Sequence, residues 1–482
     1  MSLLSQLITK NIMTILYTQE DLKYLPKINS FTKEISNAYY LKLLNKEYIV
    51  KPERKFWSYG HPIVVKKKAV DQIFNASFAI CNWFTKQITS PEFLSEWIDN
   101  RAPYFLEKSL SSDRVNRQLF NYISRGLNIP FAFDVLLSMD SQGKPRFTCV
   151  EFQTAIGYLG WFKGLTDISV LADNSLSKYQ SSYHNPINDL KEIKLELANN
   201  QEILVMDINP MNSRTSIDGI EMAKILGDEN SLPVSPVDIY REDGKWYVKV
   251  RNKQNRHIRT IEVNYVLCRM VKSDIIMLEQ QIAGDIEKQY LLLDFFRDGS
   301  IQWIWHPAWQ NIIDKRDLQV LQKIDCCQEY ASLTYQQNQF VTRDGIYVKK
   351  PIGETGGYNQ EVLKIHGLRN YIVPNGYILQ EHIKVYPLLV DIQALNISTL
   401  ATFELRIMPT IAWNKNNKQR GSYLMARLAP RREKIGGNLT KTNVSPIQSS
   451  VDQWIKWYEN KTGTTIPATD VPFGCCPVFI ET

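Results

Sequence analysis

No apolar run in this chain of 482 residues approaches the roughly 18–20 residues that a bilayer span requires. There is no H-E-x-x-H, the histidines are scattered and no cysteine stands in a C-x-x-C pair, which argues against a zinc enzyme. Walker A and G-x-G-x-x-G patterns are missing as well, so P-loop and dinucleotide-fingerprint chemistry are set aside. Internal repeats, low-complexity tracts and long linkers are also absent. What remains is 44% hydrophobic and 22% charged, the balance of a globular protein and not of a disordered one. Cys81, Cys149, Cys268, Cys326, Cys327, Cys475 and Cys476 make an odd, spread-out set. Reduced structural thiols in a cytoplasmic protein suit it best. The mildly apolar start MSLLSQLITKNIMTIL is interrupted by Gln6, Lys10 and Asn11 and has no basic start or cleavage site. It reads as an amphipathic helix packed on the body, not as a leader or a membrane contact.

The formal charge of +7 gathers at Lys66–Lys68, Arg251–Arg259 and Arg431–Lys434. A solvated face is the default for such clusters, and an anionic small ligand is the alternative. No nucleic-acid-binding motif accompanies them.

The length predicts two or three subdomains. Residues 1–125 read as mostly helical, with core stripes such as VDQIFNASFAICNWFTKQI. From Phe131 the period changes. FAFDVLL and RFTCVEFQ read as two strands joined by the turn MDSQGKP. EILVMDI, SIDGIEMAKIL and PVSPVDIY follow as strand, helix and strand, and Asp274–Leu293 as helix. WIWHPAWQNIIDKRDLQVLQKI reads as a loop and then a helix capped by Asp314. Beyond it GIYVKKPI, YILQEHI, FELRIMPTI and SYLMARLA are predicted strands.

Three constellations carry chemistry. In YVKKPIGETGGYNQEVL, Lys349 and Lys350 precede Gly353, Gly356 and Gly357. A simple hairpin and a loop laid over phosphates, with a strand lysine as point charge, fit this equally. On the hairpin, Glu151 and Gln153 share one face, and antiparallel pairing can bring Asp134 beside them. This is an oxygen cluster suited to Mg²⁺, or else a set of solvent-facing strand acids. Gln380 and Glu381 end the strand YILQE, where polar groups can read an adenine edge or simply complete an amphipathic strand.

In combination, KKPIG-x-x-GG, then YILQEHI, with D…E-x-Q on a separate hairpin, resembles the ATP-grasp fold. The acidic hairpin comes first in the chain, which is the circularly permuted order of the glutathionylspermidine synthase-like branch. WIWHPAWQNIIDK and YVKKPIGETGG resemble that branch's lysine-bearing segments. The resemblance covers about residues 125–165 and 300–440. It implies an α+β fold, with 1–125 a helical N-terminal region and 126–165 the metal-binding hairpin. It makes 166–300 an α/β pre-ATP-grasp-like substrate domain and 301–482 the nucleotide-binding region. It further implies an ATP-dependent carboxylate–amine ligase working through an acyl phosphate. ATP would lie on Lys315, Lys350, Gly353, Gly356, Gly357, Gln380 and Glu381, and Mg²⁺ on Asp134, Glu151 and Gln153. Arg427, then Arg406, would meet the transferred phosphoryl group. Two departures stand out: Gln153 replaces the branch's asparagine, and Ala132 stands where the branch has an arginine. No amidase-like stretch precedes the ligase-like part. A phosphotransferase of the same fold, and a binding or scaffold protein without catalysis, are the alternatives. GYLGWF (Gly157–Phe162) is either core or part of an acceptor pocket.

Overall fold

The computed structural model describes residues 25–28, 31–45, 60–87, 131–154, 157, 159–182, 186–213, 215–307, 313–352, 360–366, 371–386, 388–409, 422–430, 447–467 and 470–481. The helices are α1 (Lys33–Asn45), α2 (Lys67–Gln87), α3 (Leu159–Ala172), α4 (Pro186–Ala198), α5 (Ser216–Leu226), α6 (Lys272–Gln281), α7 (Ile286–Arg297) and α8 (Ile447–Thr462). None among the described residues is long and apolar enough to cross a membrane. The strands run β1 (Lys27–Ile28), β2 (Ile63–Lys66), β3 (Ala132–Met139), β4 (Pro145–Gln153), β5 (Leu204–Met206) and β6 (Ile239–Glu242). After them come β7 (Lys245–Arg251), β8 (His257–Glu262), β9 (Tyr265–Cys268), β10 (Gln302–Trp305), β11 (Thr334–Tyr335) and β12 (Gly345–Pro351). The last are β13 (Glu361–Ile365), β14 (Tyr377–Glu381), β15 (Leu388–Ile392), β16 (Ile397–Pro409), β17 (Ser422–Pro430) and β18 (Gly474–Glu481).

Eight strands form the main sheet in the order β1-β2-β18-β17-β16-β3-β4, with β15 also on β16. It draws strands from near both ends of the chain, because β18 lies parallel to β2 and antiparallel to β17. β3 is buried along almost its whole length. That explains its near-continuous apolar sequence, since a strand covered on both faces has no solvent side to alternate with. Phe133 and Phe152 on one face pack with Phe131, with Phe84 of α2 and with Tyr330. Asp134 points to the other face. The β3–β4 turn closes as expected: Asp140 Oδ1 accepts from the N–H groups of Gln142 and Lys144, both at 2.8 Å. Gly143 takes φ +81°, where a side chain would be strained.

The middle of the chain holds a parallel sheet, β10-β9-β5, and an antiparallel one, β6-β7-β8. The fourth sheet, β11-β14-β12-β13, has its own small core of Tyr335, Val341, Tyr347, Ile365, Val373 and Leu379.

Four sequence expectations are modified. The N-terminal region contributes β1 and β2 to the main sheet beside its helices. PVSPVDIY is only partly strand: Val234 makes a single bridge to Met206 before a 3-10 turn at Pro236–Asp238, because its prolines bring no N–H to a ladder. The 274–293 helix is two helices, broken before Asp285, whose side chain caps α7 by accepting from Lys288 N at 2.9 Å. The segment after Asp314 is capped as predicted but is a 3-10 helix, Lys315–Lys323. Lys315, Leu318 and Leu321 are all buried, and a three-residue spacing stacks on one side of a three-residue turn.

Candidate nucleotide and phosphate site

The register of the main sheet puts a row of charged side chains on one face. Asp134 pairs with Glu151 on one side and with Arg406 on the other. Glu404, two residues before Arg406, pairs with Arg427. A carboxylate in a strand buried on both faces needs a partner, and Asp134, fully buried, has two charged ones. Arg406 grips it bidentately, with Nε to Oδ1 at 2.5 Å and Nη2 to Oδ2. Arg427 Nη2 donates to the same Oδ2 at 3.2 Å and also to Glu404. Burial pushes the Glu404 carboxyl above its usual range. Gln153 Nε2 lies 3.5 Å from Asp134 Oδ2.

The small sheet docks against β4. The β3–β4 ladder skips Val150, pairing Asp134 with Glu151 but Val135 with Cys149. This bulge leaves the Val150 carbonyl out of the ladder, and Lys350 Nζ donates to it at 2.9 Å and to Gln380 Oε1 at 2.6 Å. Gln380 Nε2 in turn reaches Cys149 O at 3.0 Å and Ser332 Oγ at 2.7 Å. From its 3-10 turn, Lys315 points to the same place. Its Nζ lies 3.5 Å from Glu151 Oε1 and donates to Pro351 O at 3.3 Å. Burial holds the Lys350 ammonium down at about 8, with Glu151 opposing that shift and Lys315 adding to it.

Lys349, one residue away and therefore on the opposite face of β12, pairs with Glu361 at 2.6 Å over the Tyr377 ring. It takes no part in the row. Glu381 is exposed at the end of β14. Gln380 is fully buried and its amide is occupied by protein partners, so it braces Lys350 instead of presenting a side chain to a base. Gly353, Gly356 and Gly357 lie outside the described residues. So Lys315, Lys350, Asp134, Glu151, Arg406 and Arg427 are brought together, with Gln153 at the edge of the group.

No protein-family model matches the chain, and no curated protein matches it. Its fold has a solved counterpart. The chain is similar to a glutathione synthetase-like effector from Globodera pallida in its apo form, with a TM-score of 0.51 and 13% identity, over 87% of this chain and 97% of that one. At that identity the likeness speaks for the fold alone, which is α+β and ATP-grasp-like.

The sequence resemblance implies a magnesium ion on the acidic hairpin. The residues here do not fit one well. Both Asp134 oxygens are held by guanidinium groups, and Glu151 faces an ammonium. Among the described residues no group of three acidic, histidine or cysteine side chains could enclose a metal. The orphaned atom in the row is a donor: Arg427 Nε is buried without a hydrogen-bond partner.

Glu404 and the Cys149 and Val150 carbonyls escaped the sequence reading. The alternation in FELRI carries the signal for Glu404, since residues two apart on a strand share a face. The bulge has no signature in the sequence.

Proposed function

We propose that the chain is an ATP-dependent carboxylate–amine ligase of the ATP-grasp type, and that Lys315 and Lys350 hold the nucleotide phosphates. One observation carries this reading: two buried lysines from separate elements converge on the acidic hairpin, at Glu151 and at the Val150 carbonyl. The permuted, glutathionylspermidine synthase-like assignment is supported by chain order, β3–β4 preceding β12–β14.

In the proposed reaction an oxygen of the acid attacks the γ-phosphorus and ADP departs. The amine then attacks the acyl carbon, a proton leaves the nitrogen, and phosphate is expelled. The protein's part is positioning and charge neutralisation. Lys315 and Lys350 fix the polyphosphate, and Arg427, with Arg406 behind it, faces the transferred group. The glycine loop would cover the intermediate against water. Adenine would lie by the exposed end of β14 at Glu381.

The test is ADP release from the full chain with pools of acids and amines. Release that requires both an acid and an amine supports ligation, and release with one alone points to a phosphotransferase. Lys350→Met should abolish either. A second reading, nucleotide binding without turnover, is favoured by the arginine-held state of Asp134. It predicts ATP binding with no ADP released from any pool.

A further inference from the structure

We propose that the charged row takes its phosphorylated ligand as the metal-free anion, with side-chain cations standing in for a divalent ion. Asp134 is then a positioning residue for Arg406 and Arg427, and not a metal ligand. The proposal rests on the nucleotide reading only for the identity of the ligand.

Three observations carry it. First, Asp134 has no accessible surface, and both its oxygens already accept from guanidinium N–H groups. A magnesium ion needs oxygens at about 2.0–2.1 Å in a near-octahedral shell, and each such oxygen would have to be stripped from an arginine. Second, the row holds four cations (Lys315, Lys350, Arg406, Arg427) against three carboxylates (Asp134, Glu151, Glu404), a surplus of one positive charge. Such a site attracts an anion and repels a further cation. Third, the atom left over is a buried N–H, Arg427 Nε. An anionic oxygen satisfies a donor of that kind and a metal cannot. Ala132, on the same face one ladder step away, brings no cation, and β16 and β17 supply the charge in its place.

The proposal is decided by calorimetric titration of the full chain with ATP and with inorganic tripolyphosphate, in EDTA and in excess Mg²⁺. Both ligands are expected to bind in EDTA at least as tightly as in Mg²⁺, because the metal competes for the free anion. Arg427→Met should weaken both by roughly tenfold or more, the loss of one charge-assisted contact. Binding that loosens by about tenfold or more in EDTA overturns the proposal and leaves the nucleotide reading intact. Tripolyphosphate bound in EDTA without ATP sinks the nucleotide reading and keeps this one. Neither ligand bound in either buffer sinks both. A ligand-free arm uses Mn²⁺ and electron paramagnetic resonance. The wild type should hold no stoichiometric Mn²⁺, and one equivalent that disappears in Asp134→Asn overturns the proposal. Should Asp134→Asn not fold, one equivalent on the wild type, weakened by Arg406-independent Glu151→Gln, counts against it equally.

Discussion

Lys350 shows how burial turns a residue into a reporter. Its ammonium titrates at about 8 in the fold against 10.5 ordinarily. Between those values the unfolded chain holds more protons, so stability rises with pH across that window. The cost of the buried charge is complete below pH 8 and gone above about 10.5, roughly 3 kcal/mol in all. Urea unfolding of wild type and Lys350→Met at pH 7 and pH 10 should show the wild type gaining on the variant at the higher pH. Anion binding has the opposite sign. A bound phosphate favours the protonated amine, so affinity should be level below pH 8 and fall above it, by up to about tenfold per pH unit. Asp134 gives the complementary residue prediction. Asp134→Ala removes the buried carboxylate that Arg406 and Arg427 share and should cost about 3–5 kcal/mol in chemical denaturation. Adding Arg406→Met should recover part of the loss, a non-additivity expected of directly bonded partners. The sequence made this pair half legible. An aspartate within FAFDVLL had to be paired or on a functional face, but nothing local says that the partner is an arginine 272 residues on.

Elements decide what single residues cannot. GYLGWF is open between core and pocket on its sequence, and the helix resolves its last four residues as core: Leu159, Gly160, Trp161 and Phe162 are all buried at the start of α3. A Cβ on Gly160 would lie 2.7 Å from Glu221 Cβ and 2.9 Å from Asp218 O, so α3 and α5 touch here through the missing side chain. Gly160→Ala should therefore cost about 1–3 kcal/mol by overpacking, read as a lowered denaturation midpoint at unchanged denaturant dependence. An alanine scan of helix propensity would predict a gain instead. Strands β3, β4, β12, β14, β16 and β17 were all readable from period and turn chemistry. The 3-10 geometry after Asp314 and the bulge at Val150 were not, because both are set by what packs against the segment and not by its own pattern. Those two unreadable features are the ones that aim Lys315 and free the carbonyl for Lys350.

At the scale of the molecule, the small sheet β11-β14-β12-β13 stands apart from the main body. Its core is largely a separate cluster of six buried residues, while the main cluster runs through the other sheets and their helices and takes in Ile378 of β14. Ile378 in the main cluster and side-chain bonds to the edge strand β4, from Lys350 to Val150 and from Gln380 to Cys149, tie the two together. A unit with a small core of its own opens at lower free energy than the body it leans on. Amide exchange should accordingly be faster in 334–351, 361–366 and 371–381 than in 132–153 and 397–407. A polyphosphate anion touching Lys315, Lys350 and Arg427 would contact both layers and add bonds across the seam. It should slow exchange in the small sheet while leaving the already protected main sheet unchanged, and Lys350→Met should remove that effect. Equal protection of both sheets without ligand, or slowing confined to β16 and β17 with it, would mean that the seam is not where the ligand sits. Closure of one layer on another about a bound anion would then give way to binding on the main sheet alone.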